Sequence, residues 1–507
     1  MLFDELAATA AAVGATRSRL AKVEVLATFL SSLAPDEIVP AIGLMLGRPR
    51  QGKVGVGWRG LAATLETAAE APTLTITDVD AAFSGLAEAS GAGSAARRAA
   101  ILSTLMNAAT ERERDALRGA LLGEVRTGAL EGVLTDAIAR ASDRPVAAVR
   151  RAAMLSGDLA STGLVALAGT AEDLESTGLV VGRAIQPMLA STAPSIAEAM
   201  AAVGEASVEY KLDGARIQVH RSGDDVRIFT RNLADITHRL PEIVEVVRRM
   251  PVRDVVLDGE TLALDENDAP RPFQDTMARF GAETAREIAL RPWFFDVLHL
   301  DGRDLIDEPL AVRLGELARI ASDDRVPGEI TTDPETAERI GREALAAGHE
   351  GVMVKGADSL YAAGRRGASW IKVKPVHTLD LVVLAVEPGS GRRTGLLSNI
   401  HLGALDAAGE FGPPGGFVMV GKTFKGMTDE ILAWQTAHFP TIEVRRDPYA
   451  LWVEPVTVVE VAIDGVQRSS RYPGGIALRF ARVKGYRPDK EPRDADTIQT
   501  LRGMLRV

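Results

Sequence analysis

The spacing of apolar residues changes character partway along this chain. From the start to about residue 175 they recur every three or four positions, as in Leu20, Val23, Leu26, Phe29, Leu30 and Leu33, in an alanine-rich background. That period gathers apolar side chains on one face of a helix and predicts an all-α region. Around Ala184 to Ser195 prolines and small residues interrupt the pattern and mark a boundary. Beyond it the period is two: Ile217, Val219, Val226 and Ile228 fall on one face, with a Ser-Gly-Asp-Asp turn between them. This alternation predicts antiparallel strands, with Lys211 where one strand enters a tight Leu-Asp-Gly turn. From about Leu379, short apolar strands recur between glycine-rich joins and predict a small β-barrel. The expected fold is therefore multidomain: all-α over 1–178, α+β over 179–376 and all-β over 377–507.

Composition narrows the chemistry. The absence of cysteine removes disulfides, thiolate metal sites and cysteine nucleophiles together, so any covalent catalysis must use another side chain. The net charge of −11 excludes a uniformly basic surface, and a nucleic-acid partner would need locally concentrated cations. One such run is Arg471 to Lys490, where six basic residues face the single acid Asp489. Others are the glycine-bearing stretches that hold Arg48, Arg50, Lys53 and Arg59, and then Arg126, in which backbone amides and arginines can approach phosphates. Helix caps with solvated basic loops explain each stretch alone equally well. There is no apolar run of membrane-spanning length, and Asp4 and Glu5 stand where a signal peptide would be positive, so a cytoplasmic protein is expected.

A lysine without cysteine competitors is a candidate covalent nucleophile. Lys211 in Lys-Leu-Asp-Gly-Ala-Arg is weak evidence alone, since such a pattern arises by chance in roughly one in ten chains of this length. Its company decides the matter. Downstream come Phe-Thr-Arg-Asn at 229–232, Leu-Asp-Gly-Glu at 257–260, Phe-Phe-Asp-Val-Leu at 294–298, Glu-Gly-Val-Met-Val-Lys at 350–355, Trp-Ile-Lys-Val-Lys-Pro at 370–375 and Arg-Pro-Asp-Lys at 487–490. In order and rough spacing these resemble the motifs of the covalent nucleotidyltransferases, and most closely the ATP-dependent DNA ligases in their bacterial three-domain, B-type form.

The resemblance implies a helical DNA-binding domain, a nucleotidyltransferase domain and an OB-fold domain. It implies Lys211 as the residue that takes AMP from ATP, Glu260 and Glu350 as metal-side carboxylates for Mg2+ (with Mn2+ as a substitute), and Glu209 as the acid that reads the adenine amine. Phe295 would stack on the purine. Arg216, Arg231 and Glu260 would contact nucleotide, Lys372 and Lys374 the α-phosphate, and Arg487 and Lys490 the pyrophosphate from the barrel. Phe273 and Phe480 match positions that press into the DNA minor groove, with Arg479 beside them. The partner would be nicked duplex DNA, met by a monomer without a membrane.

The chemistry states a need of its own. A free lysine has a pKa of about 10.4, so roughly one in 2,500 is neutral at pH 7, a handicap of about 4.6 kcal/mol. Burial, a cation on the ATP phosphates and the neighbouring Lys372 and Lys374 are expected to lower that pKa. Three rivals remain at this point. A capping enzyme or RNA ligase is disfavoured by Glu209, the large helical region and the Phe273/Phe480 pair. An NAD-dependent ligase would usually bring a four-cysteine zinc module. A catalytically dead DNA-end-binding scaffold is disfavoured by the complete motif set.

Overall fold

The computed structural model describes the chain except residues 53, 58–60, 62–67, 124, 126–129, 267–268, 282–287, 364–365 and 506–507, and except the side chains at 130, 366 and 392. Among the described residues, helices run from Phe3–Ala15 through Arg19–Ser31 and Pro35–Leu46 to Ala171–Glu175 with no strand between them. The helix period is realised in Arg19–Ser31, where Val23, Leu26, Phe29 and Leu30 are buried. Leu20 departs from the pattern: it occupies the helix's first turn and is 79% exposed, beyond the reach of the neighbouring helices.

Two five-stranded sheets follow among the described residues. One orders Leu189–Thr192, Arg366–Val373, Gly351–Gly356, Ala206–Lys211 and Gly328–Thr331. The other orders Asp225–Thr230, Ala215–Ser222, Asp254–Ala263, Leu290–Leu300 and Arg303–Asp304. The alternation read from the sequence sets the second sheet's inner face: Ile217, Val219, Val226 and Ile228 all join one buried cluster, and the Ser222–Asp225 pairing closes the hairpin.

The last region is a seven-stranded β-structure built around the long strand His377–Pro388, plus a hairpin of Gly465–Arg468 with Ile476–Arg479. The helical region is joined to the sheets by an apolar cluster in which Met154 and Leu155, at the end of helix Val146–Ser156, pack with Ile185, Met188, Tyr361 and Trp370. Arg151 adds a two-pronged ion pair to Asp307 at 2.7 and 2.6 Å. No helix among the described residues is long and apolar enough to cross a membrane.

Candidate active site

Strand register brings the separated motifs together. Strand Ala206–Lys211 pairs with Gly351–Gly356 so that Lys211 lies opposite Gly351, and the Glu350 amide donates to the Lys211 carbonyl at 3.0 Å. Gly351 has φ +140°, and a Cβ there would fall 2.3 Å from the Val373 oxygen, so only glycine lets the strand carrying Lys372 approach. On the other sheet Arg216 lies opposite Glu260. The Gly214 amide, in the turn after Lys211, donates to Glu260 Oε1 at 2.8 Å. The turn after the lysine is thereby stitched to the carboxylate.

These elements enclose a cavity of about 660 Å3, within the usual size of a ligand site. Lys211, Glu209, Arg216, Arg231, Glu260, Phe295, Glu350, Lys372 and Lys374 all line it, together with Phe273, Arg479 and Phe480. The Lys211 ammonium sits 2.5 Å from Glu350. Burial pulls its pKa down, but Glu350, Glu260 and Asp213 outweigh burial and leave it above the ordinary lysine value. The expected depression is thus reversed. Lys374 cannot repel the proton effectively, because its own charge is engaged by Asp464 at 2.7 Å and Glu350 at 3.5 Å. Glu260 is moved upward chiefly by burial, against the pull of Lys211, the Gly214 amide and Arg216.

One end of the cavity is aromatic. Glu209, 2% exposed, is paired with Lys355 at 2.5 Å and accepts from the Ser207 hydroxyl at 2.8 Å. The Lys355 ammonium lies 4.4 Å from the ring centroids of both Phe295 and Trp370, positions that compensate a buried cation electrostatically. A neighbouring wall is a guanidinium network. Arg216 donates to Asp258 at 3.0 and 2.6 Å and to the Met188 carbonyl at 2.6 Å.

Over its full length the chain is 68% identical to a curated protein of Pseudarthrobacter chlorophenolicus named "Probable DNA ligase", covering 100% of both chains. The chain belongs to the ATP-dependent DNA ligase family. A relative of the same name from Saccharopolyspora erythraea is 56% identical over 99% of this chain and 98% of its own. Family models for the DNA ligase N terminus, the ATP-dependent DNA ligase domain and its C-terminal region match residues 61–139, 187–374 and 393–490. The solved structure named Pmar-Lig_Pre shares the fold, with a TM-score of 0.66 at 21% identity over 95% of this chain and 99% of that one. The protein is a DNA-joining enzyme that uses ATP.

The ligase's barrel presents its hairpin to this cavity. Arg479 pairs with Asp213 at 2.6 and 3.1 Å, and its guanidinium lies 5.2 Å from the Phe273 ring centroid. Phe480 is 55% exposed at φ +54°, a conformation costing a bulky residue on the order of 1–3 kcal/mol. Arg487 and Lys490 lie elsewhere: they do not line the cavity, and both engage Asp380, with Arg487 also 2.7 Å from Asp489. Within the basic run at 471–490, Arg479, Arg482, Arg487 and Lys490 are each paired with an acid. In the helical region Arg50 is held by Asp80 at 2.6 Å, while Arg48, 71% exposed, is 3.1 Å from Glu131. Lys53, Arg59 and Arg126 lie outside the described residues.

Several residues of the ligase's site had no role in the sequence reading. Lys355 and Asp258 stand inside quoted motifs, and their burial is the signal that was missed: a charged residue amid Val-Met-Val or beside Leu257 must find a partner. Tyr361 and Asp464 carried no signal, because their partners are distant in sequence.

Proposed function

We propose that Lys211 is the nucleophile of a three-step nick-sealing reaction, and the observation that carries this reading is its convergence with Glu260, Glu350, Lys372, Lys374 and Phe295 on one cavity. The Lys211 amine, once it has lost its proton, attacks the α-phosphate of ATP. A phosphorus–nitrogen bond forms, the bond to the bridging oxygen breaks, and pyrophosphate leaves. AMP then passes from Lys211 to the 5′-phosphate at a nick. The adjacent 3′-hydroxyl finally attacks that phosphate, closing the backbone and releasing AMP. Phosphoryl transfer of this kind relies on positioning and charge stabilisation.

Phe295 offers a stacking face to the purine. Glu209 is suited to the adenine amine as an acceptor, and its partner Lys355 can donate to a neighbouring ring nitrogen. A guanine would bring a carbonyl to the carboxylate instead. Arg216 and Arg231 hold the ribose or phosphates, and Lys372 and Lys374 take the α-phosphate. Glu260 and Glu350, which both line the cavity, would hold magnesium, since Mg2+ commonly uses one or two carboxylates with substrate phosphates. When bound, the ion supplies charge neutralisation on those phosphates; Mn2+ should substitute.

Arg487 and Lys490, which engage Asp380 outside the cavity, would reach the leaving pyrophosphate only with the barrel turned. Phe273, Phe480 and Arg479 are proposed for the nicked duplex, with Arg48, Arg50, Lys53, Arg59 and Arg126 as helical-region phosphate contacts. Regions 1–178, 179–376 and 377–507 serve as working domains, in an enzyme acting as a cytoplasmic monomer. Nick sealing with ATP, GTP and NAD in parallel tests the reading. Sealing with ATP alone is expected; efficient use of NAD, or preference for GTP, overturns the nucleotide assignment.

A further inference from the structure

Tyr361 is buried behind the nucleotide cavity and 2% exposed, yet its hydroxyl is fully employed. It donates to Asp258 Oδ2 at 2.7 Å and accepts the Met188 amide at 3.0 Å. Asp258 in turn takes Arg216 through both oxygens, and the Met188 carbonyl takes Arg216 Nη1 at 2.6 Å. Tyrosine, aspartate, arginine and the Met188 peptide thus form a closed ring of hydrogen bonds. Arg216 Nη2 also lies 3.5 Å from the tyrosine oxygen. Four of the guanidinium's five N–H groups are accounted for in this ring, which leaves one on Nη1 for a ligand.

Two further contacts fix the tyrosine. Its amide donates to the Ile306 carbonyl at 3.2 Å, and its ring stands edge-on to Trp370 at 5.9 Å. Trp370 stands edge-on to Phe295 at the same distance. One phenol therefore joins the arginine wall of the cavity to its aromatic end. Burial, then the Asp258 charge, hold the phenol's pKa well above its ordinary value, so it remains a donor at any working pH.

We propose that Tyr361 is a positioning residue for adenylyl transfer: by bridging Asp258 and the Met188 peptide, its hydroxyl holds the Arg216 guanidinium in one orientation toward the nucleotide. Without the hydroxyl, Asp258 keeps only the arginine, and the Met188 amide is left buried without an acceptor. Arg216 keeps its bonds to Asp258 and the Met188 carbonyl, but these two acceptors are no longer tied to each other, so the guanidinium's orientation is less restricted and each nucleotide bound must order it again. The cost falls on ground-state binding rather than on the chemical step. This inference rests on the reading of Arg216 as a nucleotide contact.

The test is self-adenylation of the full chain with α-labelled ATP, with active enzyme counted from the labelling end point and thermal unfolding followed in parallel. Tyr361→Phe, which removes one oxygen, should raise the KM for ATP about fivefold with kcat within twofold. Arg216→Lys should raise KM at least as much, and adding Tyr361→Phe to it should raise KM no further, since one interaction cannot be lost twice. An unchanged KM in Tyr361→Phe, with or without a lower unfolding temperature, overturns the proposal, as does a multiplied effect in the double variant. An unchanged KM in Arg216→Lys overturns the nucleotide reading of that arginine and this proposal together, and so separates the two failures. Should Tyr361→Phe fail to fold, Asp258→Asn probes the same ring: an unchanged KM overturns the proposal, and a raised KM that Arg216→Lys does not increase supports the ring's hold on Arg216.

Discussion

The pairing of Lys211 with Glu350 protects the amine from reaction. Its ammonium is more strongly held than a free lysine's, so the neutral fraction at pH 8 is smaller still. Glu350→Gln removes the largest opposing charge and must lower that pKa. An amine-selective acylating reagent should therefore modify Lys211 several-fold faster in Glu350→Gln than in the parent at pH 8, as read by peptide mass spectrometry. Equal rates would mean that the ion pair does not control the amine. Self-adenylation should nonetheless fall in the same variant, because Glu350 is also the proposed metal-side carboxylate. Lys211→Arg keeps the charge without a deprotonatable amine, and no labelled adenylate should form on it. A labelled Lys211→Arg protein would send the search to another nucleophile. The motif that holds Lys211 and the companion motifs that line one cavity with it were legible because each is a local string. The direction of the Lys211 pKa was not, since that depends on Glu350, Glu260 and Asp213, which converge only through strand register.

At the scale of elements, the period of two announced the strands, and the hairpin of Ala215–Ser222 with Asp225–Thr230 follows it closely. What the period could not reveal is how the hairpin holds the connecting segment 179–188. His220 does this: its Nδ1 accepts the Gly182 amide at 3.0 Å, and its Nε2 lies 2.8 Å from Gln218 Oε1, which also accepts the Ile185 amide. The imidazole is needed neutral. Burial, then the nearby His299 and Arg227, depress its pKa to about 3. The folded state consequently binds fewer protons than the unfolded state between about pH 6.5 and pH 3. Stability is fully present above pH 6.5 and is lost as pH falls through that window. At pH 5 the loss from this one residue should be about 2 kcal/mol. Urea unfolding at pH 7 and pH 5 should show His220→Gln losing less on acidification than the parent by about that amount; an identical pH response in the two proteins would refute the assignment. The turn after Lys211 offers a second element-scale test. A Cβ on Gly214 would fall 2.4 Å from the Thr261 oxygen and 3.0 Å from Glu260 Cγ. Gly214→Ala should cut self-adenylation at least tenfold with the far-ultraviolet spectrum unchanged, because the turn and Glu260 must both shift.

For the whole molecule, the fold class and the family were legible from periodicity and ordered motifs, but the barrel's seat was not. It is set by contacts between residues distant in sequence: Lys374 with Asp464, Arg479 with Asp213, Gln274 with the Arg468 carbonyl, and Arg468 with Asp275. A sequence shows charges without their partners, as with Arg50 and the Asp80 that pairs with it. In this seat Phe480 faces the cavity while Arg487 and Lys490 are turned to Asp380.

One barrel cannot present both surfaces at once, so the two half-reactions should respond oppositely to changes on its two sides. If the proposed pyrophosphate contacts are right, Arg487→Ala or Lys490→Ala should slow self-adenylation at least tenfold and leave sealing of a nick already carrying AMP within about twofold. Phe480→Ala should do the reverse, since a groove wedge has no task before DNA arrives. Asp464→Asn removes one ion pair from the seat and leaves Lys374 to Glu350 alone. It should speed self-adenylation at limiting ATP and weaken nick sealing, with the difference shrinking as salt screens the remaining pairs. Equal losses in both half-reactions for Arg487→Ala and Phe480→Ala would make the barrel a single structural unit, and the two-surface division of labour would fall with it.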